Sequence, residues 1–171
     1  MRHSYQLSHQ RILLRPLEET DIEALRSLRN ENRVFFNTTA FITAEQQRDW
    51  FQRYLLKDGD VMFAAERAGR PGEFIGTIAL YDIDLSTGTA EFGRTLLDKK
   101  KAPEHGLGTE LVAAVCRVGF EQIGIVKITA EVLKTNGRAI AAYAKAGCKV
   151  IGENHRSLFL EMTANTIGRS L

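Results

Sequence analysis

"APEHGLGTELV", residues Ala102–Val112, sets two glycines one residue apart just ahead of an apolar helical run and just behind three lysines, Lys99–Lys101. Glycine weakens a helix interior by about 1 kcal/mol relative to alanine. Gly106 and Gly108 therefore need a reason to stand where a helix is starting. Either the chain turns tightly there, or a ligand must come very close to the main chain. A strand before the stretch and a helix after it would aim several backbone N–H groups, with the positive end of the helix dipole, at an anion in front. Without Cβ atoms, glycines also let phosphate oxygens approach the main chain. The pattern fits neither Gly-x-Gly-x-x-Gly, because residue 111 is leucine, nor the P-loop, because no Gly-Lys-Ser/Thr follows. Both mismatches argue against a dinucleotide or a nucleoside-triphosphate site.

Upstream, "RILLRPL" (Arg11–Leu17) reads as a strand stopped by Pro16. "TDIEALRSLRN" reads as a helix, with Thr20 and Glu23 spaced as a capping box and Ile22, Leu25 and Leu28 on one face. Thr43 and Gln46 are spaced as a second box, opening "TAEQQRDWFQRYLL" with Trp50, Phe51, Tyr54 and Leu55 as its apolar face. "DVMFAAERAG", "EFIGTIALYDID" and "TAEFGRTLLD" then predict an antiparallel meander, separated by turn-rich pieces. Downstream of the glycines, Leu111, Val115 and Val118 mark the buried stripe of a helix running to Ile123. "VKITAEVL" (Val126–Leu133) predicts a buried strand. "NGRAIAAYAKAG" predicts a helix capped by Asn136 and stopped by Gly147. "KVIGE" and "SLFLEMT" close the chain as strands. This order implies an α/β fold, a mixed sheet with helices on its faces.

The 171 residues are read as one domain, 1–171, with no repeat or linker dividing them, and the 44% hydrophobic content suffices for a core. Basic and acidic residues number 23 and 21, which argues against broad binding to nucleic acid or to an anionic membrane. Cys116 and Cys148 match neither a metal motif nor a disulfide framework and are expected as buried free thiols. The four histidines show no metal-ligand spacing, so no metal is expected. The polar start "MRHSYQLSHQ" lacks the apolar core of a signal peptide, and a cytoplasmic protein is expected.

"AEFGRTLL", "HGLGTEL" and "NGRAIAAYAKAGC" together resemble the GNAT family of acetyl-CoA-dependent N-acetyltransferases. The likeness is greatest to the RimJ/RimL-like subgroup, with its ribosomal-protein, spermidine and amino-sugar-nucleotide acetyltransferases. It spans roughly Arg11 to Thr163 and is most specific between Glu91 and Gly147. It implies the GNAT fold: a mixed, mostly antiparallel twisted sheet flanked by helices. It also implies acetyl-CoA as cosubstrate, its pyrophosphate against the backbone of His105, Gly106, Leu107, Gly108 and Thr109. The family's phosphate motif has Arg or Gln where this chain has Pro103, and many relatives have glycine where it has Glu104. Both changes bear on coenzyme affinity, since proline donates no N–H and a carboxylate repels phosphate. Lys99–Lys101 stand nearby as candidate compensation, or as a solvated run.

Acetyl transfer to an amine needs a free amine, a stabilised oxyanion and a proton for the departing thiolate. By resemblance, Tyr143 is the general acid; otherwise it is a core tyrosine. Glu91 is the candidate base, or else a strand residue paired with Arg94 or a lysine. Backbone N–H groups around Leu96 and Leu97 would meet the oxyanion. Asn136 would orient the pantetheine arm, or serve only as an N-cap. His105 would face the anion, or be merely exposed. The acceptor is expected to be a small-molecule, amino-sugar-nucleotide or peptide N-terminal amine. Arg29, Asn30, Asn32 and Arg33 are polar enough to meet the phosphates of a nucleotide sugar, or else form a solvated helix end. A homodimer is left open. The alternative function is a non-catalytic module of this fold that binds coenzyme A or a protein partner.

Overall fold

The computed structural model describes residues 3–36 and 38–167. Eight strands form one sheet in the order β1-β2-β3-β4-β5-β6-β8-β7. They are β1 (Leu7–His9), β2 (Ile12–Pro16), β3 (Val61–Arg67), β4 (Arg70–Asp84), β5 (Thr89–Leu97), β6 (Lys127–Leu133), β7 (Lys149–Glu153) and β8 (Ser157–Thr163). All neighbours are antiparallel except β5 and β6. That parallel pair needs a crossover, which α3 (Leu107–Arg117) supplies. The other long helices are α1 (Ile22–Glu31), α2 (Ala44–Leu55) and α4 (Gly137–Lys145).

Each face of the sheet carries its own core. Ile78, Leu80, Phe92 and Ile128 pack with Leu111, Val115 and Val118, the predicted helical stripe, and all of these are buried. On the opposite face, Met62, Ala64 and Ala79 pack with Leu25 and Leu28 of α1 and with Phe51 and Tyr54 of α2. Trp50 and Leu55 are only partly buried there. Cys116 and Cys148 are free and buried, as expected. No helix among the described residues is long and apolar enough to cross a membrane.

The meander β3–β4–β5 and the strands flanking α4 fall where the sequence predicts them. Three local expectations need correction. The chain contains an additional edge strand, β1, within "MRHSYQLSHQ", whose three residues, none of them fully buried, are too few to register as alternation. The Thr20–Glu23 box is absent. Instead the Asp21 carboxylate accepts from the Glu18 N–H at 2.9 Å and from Arg15 at 2.7 and 2.8 Å, while Glu23 pairs with Arg26. The α3 segment is α-helical only to Arg117 and continues as a wider π turn, Val118–Ile123, ended by Gly124 at φ 88°. By contrast the Thr43–Gln46 box forms in both directions, at 2.9 and 3.2 Å.

One irregularity positions everything that follows. β5 pairs with β6 only over Thr89–Glu91. Its register against β4 slips between Gly93 and Leu96, and Arg94 there takes φ 52°. One extra residue in a strand reverses which face later side chains reach. Phe92 and Leu97, an odd number of residues apart, accordingly both pack on the α3 face, whereas Leu96 packs on the α1–α2 face. Arg94 is fixed at this bulge by a bidentate pair with the buried Asp60, at 2.7 and 2.8 Å. Beyond the bulge β5 and β6 part, and the sheet opens.

Candidate active site

The opening is a cleft of about 660 Å³, lined by β5 around the bulge, the loop before α3, the end of β6, α4, and Arg29, Asn32, Phe35, Phe36 and Thr38 of the N-terminal half. Most candidates named from the sequence line it: Glu91, Leu96, Leu97, His105, Gly106, Gly108, Thr109, Asn136 and Tyr143. Leu107 differs. Its side chain is 1% exposed in the core, so only its main chain lies at the helix end.

The two glycines do different things. Gly106 caps α3 at φ 91°, a left-handed conformation that L side chains rarely adopt. Gly108 has ordinary helical backbone. A methyl there would sit 3.5 Å from Ala142 Cβ and 3.9 Å from Leu97 Cδ1, an ordinary contact. Turn geometry therefore accounts for Gly106, while packing against α4 and β5 leaves room for a methyl at Gly108. The N–H groups of Thr109 and Glu110 both donate to the Gly106 carbonyl, at 2.9 and 3.1 Å. Those of Leu107 and Gly108 have no partner among the described residues, and no side chain caps the helix. Two unbonded amides at the positive end of a helix are groups that can receive an anion.

The loop is held from behind by residues that spacing alone did not single out. Arg11 donates to the His105 carbonyl at 3.0 Å and pairs with Glu110, which is 8% exposed. Arg67 donates to the Lys101 carbonyl at 2.7 Å and to Glu104 at 2.8 Å. That ion pair, with a backbone hydrogen bond as the largest cause, keeps the Glu104 carboxyl below its ordinary pKa. The negative charge that departs from the family pattern is thus tied to a cation. Of the lysines, Lys99 lines the cleft, Lys100 pairs with Glu31 at 3.2 Å, and Lys101 donates to the Phe74 carbonyl at 3.5 Å.

Along β5, peptide direction decides which amides face the gap. The Asp98 N–H donates to the Ile75 carbonyl at 2.8 Å, and the Leu96 carbonyl turns toward Gly76 on β4, so close that any Cβ there would clash. Because strand peptides alternate, the Leu97 N–H and C=O point the other way, into the opening. Of the predicted pair, Leu97 presents its backbone and Leu96 does not. The buried Thr95 hydroxyl beside it has no hydrogen-bond partner of good geometry.

Tyr143 reaches the cleft from α4, 7% exposed, its ring edge-on to Phe92 at 4.8 Å. Burial pushes its phenol pKa up, and the nearby Thr95 hydroxyl opposes this only in part. The phenol thus keeps its proton at neutral pH. Glu91 accepts a hydrogen bond from Tyr81 at 2.6 Å. It does not pair with Arg94, which is committed to Asp60, so that alternative is corrected. Asn136 does cap α4, accepting from Ala139 N–H at 3.2 Å, and it also lines the cleft. Among the described residues no group of histidine, cysteine and carboxylate side chains is assembled to hold a metal.

Of the acceptor candidates, Asn30 is structural. It is buried and exchanges two 2.9 Å hydrogen bonds with the backbone of Ile42. Arg33 turns back to the Asn30 carbonyl at 3.2 Å. Arg29 and Asn32 line the cleft, with Phe35, Phe36 and Thr38.

Together these elements form a split beside a bulged central strand, facing a glycine-capped helix start. Residues 11–149 match the acetyltransferase (GNAT) domain model, and the chain belongs to that family of acetyltransferases. It is 32% identical over 145 residues to the probable N-acetyltransferase YjcK of Bacillus subtilis (strain 168), covering 80% of this chain and 79% of that protein. Its fold matches apo FdhC, a nucleotide-linked sugar GNAT, with a TM-score of 0.84 at 22% identity over 97% of this chain and 94% of that one. It also matches spermidine N-acetyltransferase from Vibrio cholerae in complex with CoA and spermine, with a TM-score of 0.79 at 18% identity over 93% and 99% of the two chains.

Proposed function

We propose that this acetyltransferase binds acetyl-CoA in the split between β5 and β6 and passes the acetyl group directly to a primary amine. The acceptor amine belongs to a small molecule, an amino-sugar nucleotide or a peptide N-terminus. The observation that carries this reading is the set of unbonded main-chain groups at one cleft: the N–H groups of Leu107 and Gly108, and the Leu97 peptide facing the gap. The first two suit a pyrophosphate. The last lies where a pantetheine arm would take the place of the missing strand pairing. The Leu97 N–H also suits the oxyanion that develops on the thioester carbonyl.

Direct attack needs no protein nucleophile, and both cysteines are buried with raised pKa values, Cys148 to about 12. Tyr143, kept neutral by burial, protonates the departing thiolate. Glu91, held by Tyr81 at the cleft wall, takes the amine proton directly or through water. Asn136 orients the coenzyme arm through the part of its side chain not used in capping.

The test is consumption of acetyl-CoA over a panel of amines, with Tyr143→Phe as control. Amine-dependent turnover that falls in the variant supports the assignment. Tight coenzyme binding without turnover of any amine by the wild type would favour a binding module instead.

A further inference from the structure

Three of the charged side chains around the cleft are already held. Arg94 is held by Asp60, Glu104 by Arg67, and Glu91 accepts from Tyr81. Lys99, Arg138 and Lys145 are unmatched among the described residues, but they accompany the glycine loop and α4, where coenzyme phosphates are expected. On the opposite wall one cation stands apart. Arg29 Nη2 donates to the Thr38 carbonyl at 2.7 Å, whereas its Nη1 is buried with no hydrogen-bond partner. No carboxylate pairs with it among the described residues. Its Cζ lies 3.7 Å from the centroid of the Phe36 ring, so an aromatic face replaces water on one side. Desolvation lowers its pKa, the direction expected of a cation stripped of water without an anion in exchange.

An uncompensated guanidinium in a cleft has a matching chemistry: its fork binds a carboxylate or phosphate through two parallel N–H···O bonds. Negative charge lies elsewhere in the same cleft, at Glu91 and at the exposed Glu131, two residues beyond Thr129, the cross-strand partner of Glu91. A ligand with an ammonium at one end and an oxyanion at the other would match both.

We propose that Arg29, backed by Phe36, is an anion subsite for the acceptor, and that the substrates of this enzyme are primary amines carrying a carboxylate or phosphate group. The proposal rests on the transfer reading above and narrows its acceptor class. A polyamine would set a second ammonium against Arg29, a like-charge contact in a partly desolvated site.

The experiment compares matched amines: glucosamine 6-phosphate against glucosamine for phosphate, glycine against glycinamide for carboxylate, with spermidine as the cationic case. Each is measured as kcat/KM and as calorimetric affinity for the CoA-loaded protein. The expected result is a preference of about tenfold or more for the anionic member of at least one pair, the size of one charge-assisted contact. Arg29→Gln should bring that ratio toward one, mainly through KM, and Arg29→Lys should retain part of it. The pair that responds identifies the anion. Equal binding within both pairs, a ratio unchanged in Arg29→Gln, or spermidine as the preferred ligand overturns the subsite, whether or not acetyl-CoA is consumed. An Arg29-dependent binding ratio in a protein that turns over no amine overturns only the transfer reading.

Discussion

Across the cleft, one wall is made of main chain and the other of side chains. On the wall proposed for the coenzyme stand the Gly106 cap, the unbonded amides of Leu107 and Gly108, and the outward peptide of Leu97. On the wall proposed for the acceptor stand Arg29, Asn32, Phe35 and Phe36, delivered by α1 and the segment after it. Main-chain recognition constrains sequence because it needs a helix start whose cap, here Gly106, takes a left-handed conformation. Side-chain recognition leaves the residues free to change with the ligand. The first wall is therefore suited to a constant cosubstrate, and the second to a variable one.

The sharpest way to break this comparison is at Tyr143, the proton donor proposed for the coenzyme wall. Tyr143→Phe should lower kcat roughly 10–1,000-fold while coenzyme affinity stays within about twofold, since the hydroxyl acts in the transition state. Stopped-flow turnover with calorimetry checks both numbers. The wild-type pH profile carries the companion sign. Burial raises the phenol pKa, so the acid form persists above the ordinary tyrosine range near 10. No falling limb from Tyr143 should appear as pH rises through 9. A limb centred below 9 would assign the acid elsewhere.

At Gly108 the expected effect is smaller and graded. A single methyl makes only ordinary contacts with Ala142 and Leu97, so Gly108→Ala should keep coenzyme affinity within about threefold. Gly108→Val adds branches toward the phosphate path and α4, and should weaken binding more than about tenfold, about 1.4 kcal/mol. Unchanged affinity in a folded Gly108→Val protein would remove the phosphate from this helix end.

The legible half of the fold and site follows from these two modes of recognition. Gly106, Gly108, Asn136 and Tyr143 lie within two local motifs, and local spacing exposes them. Arg11, Arg67 and Asp60, which fix the loop and the bulge, act on residues dozens of positions away. Only strand register brings them together, and no spacing in one sequence records it. The Thr20–Glu23 box failed for a related reason. The local box forms two residues earlier instead, between Glu18 and Asp21, where Arg15 on the neighbouring strand also holds the Asp21 carboxylate. As an alternative to the base role, the sequence offers Arg94 or a lysine as a partner for Glu91. The bulge instead sends Arg94 to Asp60, and Glu91 meets Tyr81 across the strand.

Glu91→Gln tests that pairing at the next scale down. If Glu91 accepts the amine proton, kcat/KM near pH 7 should fall severalfold and recover in part at high pH, where free amine is plentiful. Parallel pH–rate curves for the two proteins would leave Glu91 as an acceptor for Tyr81 alone. The smallest effect is expected at the thiols. Burial holds Cys148 at about 12 and Cys116 higher than its ordinary value, so neither should react with a disulfide reagent at neutral pH in the folded protein. Rapid labelling of the native protein would show that the core beneath α4 opens.

β5 lies fifth of eight strands, a place where amide protons normally exchange only when the whole sheet comes apart. Past the bulge it keeps a partner on one side alone. The Leu96 amide faces β4 and is locked there, whereas its neighbour at Leu97 faces the open cleft. Adjacent peptides in the middle of the molecule should thus trade hydrogen for deuterium on very different clocks. Any molecule that fills the split and borrows the Leu97 peptide would bring the two clocks together, which makes this one amide a built-in gauge of occupancy.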